Sequence, residues 1–470
     1  MIEPDWKGAL SEAFDQALVY LEGLPGRSHA PGATAAQLRA ALGGPLPAEG
    51  TAPGQVIAQL ARDVDPGLTA SGSGRYFGFV IGGTLPAALA ADWLTTAWDQ
   101  NAGLYATSPA ASVVEEVTAG WLADLFGLPP QVSVGFVTGA QMATFTGLSV
   151  GLRVVLNRQG WDLAVDGLRG APPVRVFAGA NRHGTVDRAL RLLGLGTAVV
   201  EPVATDAAGR LDPQELARLM ERCWTPALVC AQVGDVNTGA VDDVGAVTRI
   251  AHARGAWVHV DGAFGLWAAA SPRLRPLVAG VEHADSWATD AHKWLNVPYD
   301  SGIVLCAHPE EHRAAMGTRA SYLMTGDGDR RDGLDFGPEH SRRARGIAVH
   351  AALRSLGRGG VADLVERSCA LARHLAEQVA DADGLEVLND VVLNQVLVRA
   401  TPPAGCADPG EDGDRLTRRL VERVQADGTA WMSGTTWQGR AALRVSVSNW
   451  STDADDIDRT VATLVRLVRD

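Results

Sequence analysis

The run Ser286-Trp-Ala-Thr-Asp-Ala-His-Lys-Trp-Leu295, read with His259-Val-Asp-Gly-Ala-Phe-Gly265 upstream of it, decides the fold and the chemistry. Trp257-Val-His-Val-Asp261 predicts a strand, so the Asp261 carboxylate emerges at the strand end, where α/β sheets bind their ligands. Lys293 lies between Trp287 and Trp294, an apolar setting that lowers the pKa of an amine and makes it nucleophilic. One cofactor requires both groups. A lysine amine forms a Schiff base with the aldehyde of pyridoxal 5'-phosphate, and a buried carboxylate keeps the pyridine nitrogen protonated so that the ring accepts electrons. The pair therefore points to chemistry on amino acids.

Outward from these segments, short apolar runs alternate with helical ones. Strands are predicted at 132–137, 174–178, 198–201, 227–232, 257–260 and 302–306. Apolar runs of this kind, separated by helices, indicate a mostly parallel sheet covered on both faces. Trp6, Leu10, Phe14, Leu18 and Leu21 recur at helical spacing, giving an opening amphipathic helix suited to a partner subunit. Residues 23–74, rich in Gly, Pro and Ala, read as a connecting arm with one short helix around 54–63. The cluster Gly357-Arg-Gly-Gly360 ends a helix. Strand-like segments at 391–398 and 442–447 and a final helix from about Asp453 to Val468 then predict a smaller α+β lobe. The expected division is 1–74 as an N-terminal helical arm, 75–346 as the large cofactor domain and 347–470 as the small C-terminal domain.

With 41 Lys plus Arg against 54 Asp plus Glu, the net charge of -13 argues against a nucleic-acid surface and for a small-molecule ligand. The five cysteines are scattered, without a C-x-x-C pair, as expected for thiols in a reducing cytoplasm. Acidic residues in Met1-Ile-Glu-Pro-Asp5 are unlike a signal peptide, and every apolar stretch is interrupted before it would span a bilayer. The expectation is a cytoplasmic protein without membrane or nucleic-acid partners.

Thr138-Gly-Ala-Gln-Met-Ala-Thr144 follows a strand and opens a helix. Small residues there let backbone N–H groups approach a phosphate at the positive end of the helix dipole, so Thr138, Gly139, Ala140 and Gln141 are the candidate phosphate cradle. Ala263 is small enough to lie against the pyridine face, and His183 in Asn181-Arg-His-Gly184 offers a ring for the opposite face. His292 and Asp290 adjoin the lysine.

These segments resemble the group II pyridoxal-phosphate-dependent amino acid decarboxylases. The resemblance also takes in Arg75-Tyr-Phe-Gly-Phe79, Pro86-Ala-Ala-Leu-Ala90, Ser108-Pro-Ala with Glu115, Trp121-Leu122, Ser341-Arg-Arg-Ala-Arg345 and Leu443-Arg-Val-Ser-Val-Ser-Asn449. It implies the aspartate aminotransferase-like fold type I: α/β, with a mostly parallel seven-stranded sheet in the large domain and a small α+β C-terminal domain. It further implies Lys293 as the Schiff-base lysine, Asp261 as the pyridinium partner and His183 as the stacking ring, with Asn237 near the ring hydroxyl. Tyr322 resembles a mobile-loop tyrosine that protonates the substrate carbon once carbon dioxide has left, and phenylalanine at that site is associated with aldehyde-forming relatives. Arg342 resembles an arginine that contacts a substrate carboxylate, Arg444 lies in a segment shared with aminotransferases, and Phe79, Val80, Ile81 and Tyr105 resemble pocket-lining positions. Two departures stand out. Asp290 takes the place of a common asparagine near the phosphate, and Asp235 and Val236 replace paired threonines.

The reaction implied is decarboxylation of an L-amino acid to its amine in a homodimer with shared active sites. Transamination, oxidative deamination to an aldehyde, carbon–carbon or carbon–sulfur lysis, and cofactor binding without turnover remain open. Two further patterns are set aside. Ser149 of Gly147-Leu-Ser-Val-Gly151 falls inside a helix instead of on a nucleophile elbow. His308-Pro-Glu-Glu-His312 has a zinc-peptidase spacing but opens what reads as an exposed helix, with no third ligand, so no metal is expected.

Overall fold

A computed structural model describes residues 5–30, 32–318, 330–403, 406 and 408–469. Tyr322 lies outside the described residues. The strands of the larger sheet are β1 (Ser133–Val137), β2 (Arg175–Gly179), β3 (Val200–Val203), β4 (Ala227–Gln232), β5 (Trp257–Asp261), β6 (Ser286–Asp290) and β7 (Gly302–Cys306). They run in the order β1-β7-β6-β5-β4-β2-β3. β7 is antiparallel to both neighbours, and the pairs from β6 through β3 are parallel.

Every residue of β1, β5, β6 and β7 is buried, which is why β1, β5 and β7 read as apolar runs without alternation. Trp257, Trp267, Trp287 and Trp294 are among the largest fully buried side chains. Three of them also satisfy their indole N–H: Trp257 donates to Ser286 Oγ, Trp287 to Val281 O and Trp267 to Asp290 O, at 2.8–3.0 Å. The last bond fixes the backbone at the end of β6, the strand that precedes Lys293.

The smaller sheet is antiparallel, in the order β10-β11-β9-β8, from β8 (Leu385–Val387), β9 (Gln395–Ala400), β10 (Ser433–Trp437) and β11 (Arg440–Ser446). The helix Gly346–Ala380, interrupted at Gly357 (φ 63°), packs against both lobes' elements. The N-terminal part carries α1 (Trp6–Gly23), α2 (Ala35–Leu42) and α3 (Pro53–Val64). The expected connecting arm thus holds two helices instead of one: Thr34 and Gln37 close a capping box that starts α2. α1 buries none of its residues, and Trp6, Leu10 and Phe14 are at least half exposed. Next in the chain come α4 (Pro86–Trp98), α5 (Pro109–Phe126) and α6 (Ala140–Asn157). No helix of the described residues is long and apolar enough to cross a membrane.

Candidate active site

Four segments meet at the carboxyl edge of the large sheet. β5 ends at Asp261 and β6 at Asp290, β1 leads into the N-terminus of α6, and antiparallel β7 begins there with Gly302, which pairs with both Val137 and Asp290. A side chain at 302 is ruled out by proximity: a Cβ would stand 2.3 Å from the Gly139 Cα. Its absence lets the start of α6 approach the end of β6.

Lys293 Nζ lies 3.0 Å from Asp290 Oδ2. The chain's other lysine is Lys7, on the exposed α1. Among 41 basic residues that are otherwise arginines, a lysine kept at this position is notable because only an amine, and not a guanidinium, can form an imine. Gly82 packs against it so closely that a Cβ there would fall 2.0 Å from the Lys293 carbonyl oxygen.

Asp290 is buried and its backbone is pinned, its N–H donating to Ala263 O at 2.9 Å and its O accepting from Trp267. Its Oδ1 accepts from the Ala140 N–H at 2.5 Å. α6 has no capping side chain from its own preceding residues, so this remote carboxylate satisfies one of the orphan donors of the helix start. His292 Nδ1 accepts from the Ser301 N–H at 3.1 Å, which leaves the ring proton on Nε2, 3.4 Å from Asp290 Oδ1. Burial pushes the His292 pKa down, and Asp290 pulls it partly back.

Asp261 is buried and lines a small cavity with Gly179, Asn181, Arg182, Gln232 and Asp242. Its Oδ1 accepts from the Ala263 N–H at 3.2 Å. His183 caps the helix Gly184–Leu192 by accepting from the Thr185 N–H, and its own N–H donates to Gln232 Oε1 at 3.3 Å. Gln232 is the β4 partner of Asp261, so the register of two strands ties the histidine segment to the carboxylate. Gln141 Nε2 donates to Thr185 O at 3.2 Å, linking the cradle to the same segment.

The remaining predicted residues fall in different surroundings. Phe79 is half exposed and tilts against Trp431 at 5.4 Å, Trp431 in turn stacking on Tyr76 at 4.8 Å. Phe79 and Val80 both hold positive φ, 54° and 61°, a strained conformation for bulky residues that clusters at binding sites. Tyr105 is half-buried, its N–H donating to Asp332 Oδ1 at 2.8 Å. Arg444 crosses from β11 toward Val236 O at 3.5 Å; burial lowers its pKa and Asp235 raises it. Asn237 Oδ1 accepts from Thr435 Oγ1 at 2.9 Å, which orients the side chain and leaves its amide NH2 to donate. Arg342 is committed elsewhere: Nη1 and Nη2 bind both Glu115 carboxylate oxygens at 3.1 and 2.5 Å, and reach Ala102 O and Phe136 O. That geometry makes it a buried strut between motifs and not an open carboxylate receptor.

Sequence reasoning passed over Gln232, Asp242 and Arg182, which border the Asp261 cavity, Arg182 also pairing with Asp187 at 2.8 Å. Gln232 carried a signal, since a polar residue ending an apolar strand at the ligand edge is out of pattern. His308 and His312 turn to separate partners, Asp285 at 2.8 Å and Ser133 Oγ at 2.9 Å. His312 is fully buried, so the helix Pro309–Met316 is not exposed all round as expected.

The assembled site offers an amine, a strand-end carboxylate and a helix start brought close by Gly139 and Gly302. A Cβ on Gly139 would fill the cradle, lying 3.3 Å from His292 Cε1 and 3.4 Å from Asp290 Oδ1. This donor set fits a phosphate-bearing pyridine aldehyde.

Comparison with known proteins agrees. The conserved domain of pyridoxal-dependent decarboxylases matches residues 36–401. Tryptophan decarboxylase 1 of Oryza sativa subsp. japonica is 30% identical over 415 residues, 83% of this chain and 79% of that protein. A phenylacetaldehyde synthase of a Rosa hybrid cultivar is 25% identical over 415 residues, 85% and 82% of the two chains. The crystal structure of Oryza sativa TDC with PLP and tryptamine superposes with a TM-score of 0.93 at 26% identity, covering 100% of this chain and 99% of that one.

Proposed function

The chain belongs to the pyridoxal-dependent decarboxylase family, and we propose that within it the protein removes the α-carboxylate of an aromatic L-amino acid, releasing carbon dioxide and the amine. The observation that carries the aromatic assignment is the Phe79–Trp431 shelf, 5.4 Å between ring centroids, in the segment whose Gly82 packs on Lys293. A flat substrate ring gains both apolar burial and offset ring contact on such a shelf.

Pyridoxal 5'-phosphate, when bound, supplies the electron sink for the pair left at Cα. Lys293 would hold it covalently, and Asp261 would keep a proton at the ring nitrogen. Thr138, Gly139, Ala140 and Gln141 would take the phosphate, and Asn237 and His292 the remaining polar edge. Ala263 and His183 would confine the ring between them. Binding geometry would select which bond of the substrate Cα breaks. Arg444 and Tyr105 would orient the substrate so that this bond is the one to the carboxylate. Tyr322 would return a proton to Cα.

We further infer a homodimer, with residues 1–74 as its clasp, 75–346 as the cofactor domain and 347–470 as the small domain. The exposed apolar face of α1 beside Trp93 of α4 (ring centroids of Phe14 and Trp93 at 6.4 Å) supports this. All five cysteines are free thiols, which supports a reducing, cytoplasmic setting. The test is incubation of the reconstituted protein with each standard L-amino acid, with carbon dioxide, amine, aldehyde and keto acid scored by mass spectrometry. Amine and carbon dioxide from tryptophan, tyrosine or phenylalanine are expected; release only from acidic or aliphatic amino acids would remove the aromatic assignment.

A further inference from the structure

Asp290 stands at a crossing that the proposed reaction does not use. Its two carboxylate oxygens gather three donors: the Ala140 N–H at 2.5 Å, the Lys293 amine at 3.0 Å and the His292 Nε2 at 3.4 Å. The first is the helix-start donor assigned to the cofactor's phosphate, and the second is the amine assigned to its aldehyde. A single buried carboxylate therefore ties together both ends of the cofactor seat. An amide at this position would offer the phosphate a donor through its NH2, whereas a carboxylate has none when ionised.

We propose that Asp290 is the seat's resident anion: in the empty enzyme it caps α6 and holds Lys293, and it competes with the cofactor's phosphate for the Ala140 N–H. The energetics follow from charge and place. A buried carboxylate accepting a helix-terminal N–H and pairing with a partly buried amine stabilises the empty fold. A phosphate brought to the same donor meets a like charge in a poorly solvated site, which lowers its affinity. Neutralising residue 290 at constant shape removes both effects together. The stability of the empty form should fall while the affinity for the phosphorylated cofactor rises. A carboxylate that merely packed would couple neither.

This inference rests on the pyridoxal-phosphate reading above, and the experiment separates the two. Cofactor-free full-length wild type and Asp290→Asn are titrated with pyridoxal 5'-phosphate and with pyridoxal, following tryptophan fluorescence and visible absorbance, and each empty protein is melted. The expected result is that D290N binds pyridoxal 5'-phosphate about tenfold or more tightly, equivalent to about 1.4 kcal/mol. Its affinity for pyridoxal should stay within about twofold, and its empty form should melt earlier. Unchanged or weaker phosphate-cofactor binding by D290N overturns the proposal. An equal gain for pyridoxal overturns it too, because the effect would then run through Lys293 and not the phosphate. Should D290N not accumulate as folded protein, Asp290→Ser carries the same comparison, its hydroxyl being neutral and able to donate. If wild type itself binds no pyridoxal 5'-phosphate, it is the cofactor reading that fails.

Discussion

Gly302 and Gly139 touch backbone to backbone: a Cβ at 302 would stand 2.3 Å from the Gly139 Cα, 2.4 Å from its carbonyl carbon and 2.6 Å from its nitrogen. β7 and the start of α6 can lie this close only without a side chain between them, and the contact brings the Ala140 N–H to Asp290. Gly302→Ala must push α6 off the sheet edge. The expected outcome is a loss of about 1–3 kcal/mol of stability together with weaker binding of pyridoxal 5'-phosphate. Urea denaturation and cofactor titration check it; a variant that bound the cofactor as wild type does would show that this approach does not build the cradle.

Arg342 and Glu115 form a buried pair with side chains 1% and 2% exposed. Glu115 also lies 3.6 Å from Arg331 Nε, so Glu115→Ala leaves two guanidinium groups without their shared carboxylate and should cost about 3–5 kcal/mol, whereas Arg342→Ala, which leaves Arg331 facing Glu115, should cost less. The double variant should lose less than the two single losses added together. Urea midpoints of the four proteins measure this coupling. A raised KM with an unmoved midpoint in Arg342→Ala would instead return the residue to substrate binding.

Much of this site was legible because its residues sit where local pattern changes. Asp261 ends an apolar strand, Gly139 and Ala140 open a helix, and Lys293 interrupts a run of tryptophans. β6 escaped recognition as a strand since Ser286, Thr289 and Asp290 break its apolar run, although all its residues are buried. The polar, partly exposed edge strand β10 and the three-residue β8 gave no apolar run at all. The partners of Arg342, Asn237 and His312 lie far off in sequence, at Glu115, Thr435 and Ser133, and no periodicity records such contacts. The capping of α6 by Asp290 is of the same kind.

Two buried histidines each contribute a loss of stability in acid, against the opposing shift of Asp242, whose carboxyl is pushed up by burial to about 6. Burial pushes His259 and His312 down to about 3, with Arg331 also lowering His312. Between the ordinary histidine value of 6.5 and 3, the unfolded chain binds protons that the folded one refuses. Their stabilising effect is complete above 6.5 and is lost as pH falls through that window. At pH 5 each should have cost the fold about 2 kcal/mol. Urea midpoints at pH 7 and pH 5 test this, and His312→Gln should show a shallower loss than wild type; an equal loss in both would assign the acid response to other groups.

Tyr322 lies outside the described residues, and its assigned part is proton return to Cα. Tyr322→Phe should bind pyridoxal 5'-phosphate normally while amine formation falls about 100-fold or more, with aldehyde, carbon dioxide, ammonia and hydrogen peroxide formed in its place at the expense of dissolved dioxygen and water. Product analysis by mass spectrometry decides. Amine made at the wild-type rate would take the tyrosine out of the reaction.

The account stands on Lys293 as the point of covalent attachment, and the sequence makes that measurement unusually clean, because Lys7 is the chain's other lysine. Reconstituted protein is reduced with borohydride, digested, and its peptides are mapped by mass spectrometry. The account predicts a pyridoxyl group on Lys293 and none on Lys7. A protein that stays colourless and unlabelled after reconstitution, or a label carried by Lys7 or the amino terminus alone, would contradict it.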